Sequence, residues 1–291
     1  MRSEQEMCSA ITGFAERDAR VLAAYLNGSR VNPNVAKDRD RDFDVVFVVT
    51  ETASFLADRA WLACFGEVAV LQEPDRMDAL LGRETDAAAS YTFLVLFTDG
   101  NRIDLHLETE EAMRAHYGDD SLTEPLLDKT GVLRPLPPAS DRGYWSARPD
   151  QAWYAFCCNE FWWCLNNVAK GLVRGQLPYA LRMLHTIVLP ELERMTEWRI
   201  ASEHDFSITT GMWGKYFEKH LPPEEYAAYL RAYSEAEPGA VWRAIDCMST
   251  LFRSQARLVA ARLGFSYNEG EDWGTMEYLA RMRSENGQGE P

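Results

Sequence analysis

Short apolar runs separated by polar turns dominate the first half of the chain, and helical periodicities dominate the second. The pattern predicts a helix over Ser3 to Asp18 and a strand over Val21 to Leu26 that ends at a Gly-Ser turn. A polar loop over Arg30 to Arg41 then leads into a strand over Asp44 to Val49. A helix over Thr52 to Cys64, a strand over Glu67 to Leu71 and a short helix over Asp75 to Leu81 follow. Tyr91 to Phe97 and Arg102 to Leu107 read as two strands joined by Thr98-Asp99-Gly100-Asn101, a good hairpin turn. Pro135, Pro137 and Pro138 stop any regular element and mark a stiff linker. Beyond them the period is helical: Pro149 to Val173, Pro178 to Arg199, Trp213 to His220, Pro223 to Tyr233, Ala240 to Leu263 and Trp273 to Arg283.

The fold class that follows is α+β. A mixed β-sheet with flanking helices occupies residues 1–134, a Pro-rich linker 135–148, an α-helical bundle 149–284 and a frayed tail 285–291. Composition is that of an ordinary globular enzyme except for charge: 45 acids against 30 bases leave a formal net charge of -15. Such a chain is not built to grip nucleic acid along an extended surface, and a cationic small substrate suits it better. The polar N-terminus lacks the apolar core of a signal peptide, and no apolar run has bilayer length, so a cytoplasmic protein without membrane attachment is expected. The six cysteines form no CxxC pair and have no histidine at ligand spacing, so they read as small buried hydrophobes.

Candidate chemistry gathers between Asn27 and Asp44. Gly28 permits close approach of backbone to a phosphate, and Ser29 adds a hydroxyl and an N–H. Asp42 and Asp44 are two apart at the start of a strand, so both carboxylates point to one side. They repel one another unless a cation lies between them, and hard oxygen ligands of this kind suit Mg2+. Asp104 alternates with Ile103 and Leu105 and faces away from the apolar side. If its strand neighbours that of Asp44, three carboxylates converge, enough for two metal ions, or for one with Asp104 left as a base. The bland alternatives are an ordinary turn and a solvated strand face. His106, near Asp104, is the one histidine with a possible place in the site. In the long helix after Pro149, Glu160 falls at the margin of a stripe running Trp153, Phe156 and Cys157, Phe161, Cys164 and Val168, where a carboxylate needs a partner, either an internal cation or a substrate. Lys170 could reach a phosphate, although a solvated lysine near a helix end is the commoner case. Most tryptophans of the second half read as core, with one or two left to line a sugar- or base-binding cleft.

These residues resemble the aminoglycoside 6-adenylyltransferases that inactivate streptomycin, within the polymerase-beta-type nucleotidyltransferase superfamily. The superfamily pattern of a glycine-serine turn and a spaced aspartate pair is matched by Gly28, Ser29, Asp42 and Asp44. The closer likeness spans nearly the whole chain: Leu26 to Asn34, Arg102 to Leu107, Tyr144-Trp145 with Arg148-Pro149, Cys157 to Trp163, Val168 to Leu172 and Leu251 to Arg253. Phe43 stands where the family more often carries tyrosine. The resemblance implies transfer of AMP from Mg-ATP to a hydroxyl of streptomycin with release of pyrophosphate. Asp42, Asp44 and Asp104 would be catalytic and metal-binding, and Gly28, Ser29, Arg30 and Lys170 would be nucleotide-binding. Asn159 and Glu160 would bind the cationic acceptor. Transfer to another small molecule, as in lincosamide modification, or to a protein hydroxyl, as in toxin-type enzymes, is the alternative.

Overall fold

Ser3 opens the first helix, α1 (Glu4–Arg17), with a reciprocal cap: its hydroxyl accepts the Glu6 N–H at 3.3 Å, and the Glu6 carboxylate accepts the Ser3 N–H at 2.7 Å. In this computed structural model, which describes residues 1–285, α1 lays Met7, Ile11, Phe14 and Ala15 against a six-stranded sheet. The strands are β1 (Val21–Asn27), β2 (Phe43–Val49), β3 (Val68–Gln72), β4 (Ser90–Phe97), β5 (Arg102–Thr109) and β6 (Glu124–Asp128), in the spatial order β3-β4-β5-β2-β1-β6. Short helices α2 (Ala53–Ala57), α3 (Pro74–Leu80) and α4 (Glu110–His116) intervene. β2 and β5 pair in parallel, and the other neighbours are antiparallel.

Alternation divides the central strands cleanly. Phe43, Val45, Phe47 and Val49 of β2, with Ile103, Leu105 and Leu107 of β5, face the core under α1, where Phe55, Leu62 and Phe65 also pack. The opposite face is apolar only in part: Val46 and Val48 meet Tyr25, Met113 and Tyr117. Toward the start of β2 that face turns polar.

The chain divides into two compact units, Met1–Gly143 and Tyr144 onward. The second is helical: α5 (Gln151–Val173), α6 (Leu177–Met183), α7 (Leu189–Ala201), α8 (Phe217–His220), α9 (Pro223–Leu230), α10 (Pro238–Leu263) and α11 (Glu269–Glu285). Asp150 caps α5 by accepting the Trp153 N–H at 2.8 Å. The buried side of α5 is Tyr154, Cys157, Cys158, Phe161, Leu165 and Val168, and the Phe161 ring lies flat on Phe252 of α10 with 3.8 Å between centroids.

Several sequence expectations are corrected. The predicted helix over Thr52 to Cys64 breaks into α2 and a 3-10 turn (Ala60–Phe65), because the Asp58 carboxylate takes the Ala60 N–H at 2.8 Å and Arg59 turns aside to Glu73. The span from Pro178 to Arg199 is interrupted by a π turn over Leu184–Val188. Two elements went unpredicted: α4, capped by the Thr109 hydroxyl, and the edge strand β6, where Pro125 is tolerated. Trp153 and Phe156, placed in the buried stripe of α5, are exposed, since α7 and α10 pack on the side led by Tyr154. Trp163, Trp213 and Trp273 are exposed too, whereas Trp162, Trp198 and Trp242 are core. Cys157, Cys158 and Cys164 are buried but Cys64 is exposed. Ser284 and Glu285 continue α11, and the rest of the expected tail, 286–291, lies outside the described residues.

Candidate active site

The parallel register of β2 and β5 sets Asp44 directly opposite Asp104, and the antiparallel register of β1 sets Asn27 opposite Asp44 from the other side. Their neighbours Phe43 and Ile103 point into the core, so the two aspartates emerge on the face away from α1. Asp42, two residues earlier, joins them. Arg102 binds the group together. Its Nε and Nη2 donate to the two oxygens of Asp104, each at 2.7 Å, and its Nη1 lies 3.4 Å from the Asp42 carboxylate. Sequence reasoning missed Arg102, although its place two residues before Asp104 on an alternating strand puts it on the same face.

One guanidinium among three carboxylates leaves the cluster short of positive charge. Burial pushes the Asp44 carboxyl up to about 6, the charges of Asp104 and Asp42 add to this, and Arg102 and Arg30 only partly oppose it. Asp42 is raised as well, mainly by burial. Gly28, at φ +75, sits against this cluster: a Cβ there would collide with Asp44 Oδ2. The glycine, which sequence reasoning assigned to a phosphate, is therefore required by the aspartate. Its N–H donates to the Leu122 carbonyl at 3.1 Å. The half-buried Ser29 hydroxyl has no hydrogen-bond partner among the described residues, and the Ser29 carbonyl accepts from Arg41 at 3.3 Å.

Arg30 is turned inward. Its guanidinium lies 3.5 Å from the centroid of the Phe43 ring, donates to the carbonyls of Asp42 (3.1 Å) and Arg41, and has only 4% of the side chain exposed. It ties the Gly28-Ser29 turn to the start of β2.

Farther along the same face of β5, Glu108 is 2% exposed and serves three partners: His106 Nε2 at 2.8 Å, His116 Nε2 at 3.2 Å and the Tyr25 hydroxyl at 3.2 Å. Thr92 Oγ1 holds the other ring nitrogen of His106 at 2.8 Å. His106 is thus built into a polar network next along the strand from Asp104, with both nitrogens engaged.

The remaining expected residues belong to α5, in the second unit. Glu160 is half-buried and accepts the Cys164 thiol at 3.3 Å. The Asn159 amide donates to Glu271 of α11 at 3.0 Å. Lys170, in the last turn, has no ion-pair partner among the described residues.

Among the described residues no three His, Cys, Asp or Glu side chains are already arranged around one point as metal ligands. Arg102 is the cation of the cluster in this geometry. The donor chemistry nevertheless fits Mg2+: Asp42, Asp44 and Asp104 are hard oxygen donors on one face, and a divalent ion would offset both the burial and the mutual repulsion that raise the Asp44 carboxyl.

A family model described as Streptomycin adenylyltransferase matches residues 1–282. The aminoglycoside 6-adenylyltransferase of Bacillus subtilis is 33% identical over 94% of this chain and 95% of its own length. That of Campylobacter jejuni is 34% identical over 92% of this chain and 91% of its own. A crystal structure of an aminoglycoside 6-adenyltransferase from Bacillus subtilis aligns over 97% of this chain and 99% of its own at 29% identity, with a TM-score of 0.47. With nearly its whole length matched, and with a glycine turn and three aspartates gathered on one sheet face, this chain belongs to the streptomycin adenylyltransferase family.

Proposed function

We propose that this chain transfers AMP from Mg-ATP to a hydroxyl of an aminoglycoside, streptomycin at its 6-position by family likeness, and releases pyrophosphate. The observation that carries the reading is the register that places Asp44 opposite Asp104 and beside Gly28. In the transfer, the acceptor oxygen bonds to the α-phosphorus of ATP, the bond from that phosphorus to the β-phosphate bridging oxygen breaks, and pyrophosphate leaves with the electron pair. When bound, Mg2+ supplies positive charge to the phosphate oxygens. Asp42 and Asp44 would hold it. Arg102 holds Asp104 in place, and Asp104 would complete the ligand set or receive the hydroxyl proton. Ser29 offers its unpaired hydroxyl to the triphosphate. Lys170 is assigned to the nucleotide, and Glu160 and Asn159 to the acceptor, by family likeness.

The test is pyrophosphate release by the full chain with Mg-ATP across a panel of aminoglycosides and lincosamides. Release that depends on streptomycin is expected. Equal release with every compound or with none would remove the assignment, and release driven by a lincosamide would move it to the alternative acceptor class. Asp42→Asn should abolish the reaction without loss of the folded state.

A further inference from the structure

We infer that Arg102 is a positioning residue that competes with the divalent ion for Asp104: its guanidinium balances the carboxylates of the nucleotide-free chain and releases Asp104 when the ion takes ligands from all three aspartates. The inference deepens the proposed function and rests on it for the nature of the ion. Arg102 donates through Nε and Nη2 to Asp104 Oδ1 and Oδ2, each at 2.7 Å, so both carboxylate oxygens face the guanidinium fork. Its Nη1 lies 3.4 Å from Asp42 Oδ2, beyond good hydrogen-bond length, and acts there by charge. Asp44, which burial and two acidic neighbours already penalise, has no hydrogen-bond or ion-pair partner among the described residues.

Two properties separate this clamp from a structural ion pair. The first is stereochemical. An ion of the Mg2+ kind needs a carboxylate oxygen at about 2.0–2.1 Å, and oxygens turned to a guanidinium fork are turned away from a point shared with Asp42 and Asp44. A second cation brought beside the first is also repelled by it. The fork thus serves the outer carboxylates and leaves Asp44 unserved, which is the charge pattern a divalent ion would complete.

The second property is freedom to leave. Arg102 is 44% exposed in its side chain, and among the described residues its guanidinium meets the two carboxylates but no backbone carbonyl and no aromatic ring. Arg30 is the contrast: it is buried, lies over Phe43 and donates to two backbone carbonyls, so its place is set by the fold. Only the aspartates hold Arg102. Once they turn to another cation, its aliphatic stem can rest on Leu96, the exposed cross-strand neighbour on β4 that shares its face.

Mn2+ binding to the full chain without nucleotide, measured by calorimetry, tests the competition, because removal of a residue that merely propped Asp104 would weaken ion binding. Arg102→Met keeps the stem, removes the guanidinium and should bind Mn2+ about tenfold more tightly than the wild type. Arg102→Lys keeps the charge, loses the fork and should fall between the two. The metal-free unfolding midpoint of Arg102→Met should lie below that of the wild type, and added Mg2+ should raise it by more than it raises the wild type's. Equal Mn2+ affinities, or weaker binding by either variant than by the wild type, overturns the competition. Tighter Mn2+ binding by Arg102→Met with no streptomycin-dependent pyrophosphate release by the wild type leaves the competition standing and removes the proposed function. Such release by the wild type, with Mn2+ affinity unchanged in the variants, does the reverse.

Discussion

At the scale of single residues, the site is a balance between carboxylates that crowd and one arginine that restrains them. Asp44 is the residue most strained by this balance, because it is buried beside two other acids. Its folded carboxyl titrates at about 6 against the ordinary value near 4. Between those values the folded protein holds a proton that the unfolded chain has lost, so stability contributed at this residue falls as pH rises from ~4 to ~6. In metal-free protein, Asp44→Asn should therefore raise the unfolding midpoint at pH 8 and leave it nearly unchanged at pH 4; assayed with Mg-ATP and streptomycin, the same variant should show no turnover. An equal effect at both pH values would mean that burial of the charge is not the cause. Gly28→Ala places a methyl group against Asp44 in a left-handed backbone, and should cost about 1–3 kcal/mol in urea unfolding. Activity should fall further than that loss explains, because the displaced group is Asp44. The glycine turn and the outward face of the aspartates were legible in the sequence because strand alternation is a local rule; the lie of the Arg30 guanidinium over Phe43 was not, because nothing local shows it.

At the scale of elements, β5 does more than its predicted run suggested. Arg102, Asp104, His106 and Glu108 follow the strand period of two on one face, from an exposed arginine to a buried glutamate. Alternation alone identified that face as polar. Two of its members prove to be held by side chains from outside the strand, Glu108 by His116 and Tyr25 and His106 by Thr92. Glu108→Leu would leave two histidines and a tyrosine hydroxyl without their acceptor, and should destabilise the chain by about 3–5 kcal/mol in urea titration. A loss below ~1 kcal/mol would show that water satisfies the network instead. The long helices were read correctly in kind because their periodicity extends over many turns. The facing of α5 was not: a helix rich in aromatics on several sides has no unique apolar stripe, and only the helices packed around it decide which aromatics are core.

At the scale of the whole molecule, the net charge of -15 bears on association with a cation. For streptomycin, with two guanidinium groups, kcat/KM should fall as ionic strength rises from 25 to 300 mM, whereas ATP, an anion, should lose nothing from screening of a negative protein. A fall of equal size for both substrates would count against charge as the cause. Among the described residues no helix is long and apolar enough to cross a membrane. What the sequence by itself determined were the mixed α+β composition, most element positions, and the outward direction of Asp42, Asp44 and Asp104, all consequences of periods spanning a few residues. The order of strands, and with it the parallel pairing that brings Asp44 opposite Asp104 across sixty positions of chain, was decided only by tertiary structure. So were the clamp of Arg102 on Asp104 and the collision that reserves Gly28 for glycine. Each of these depends on which surfaces meet after the chain closes on itself, and a period of two or of three and a half specifies which side a residue takes but never which partner it finds there.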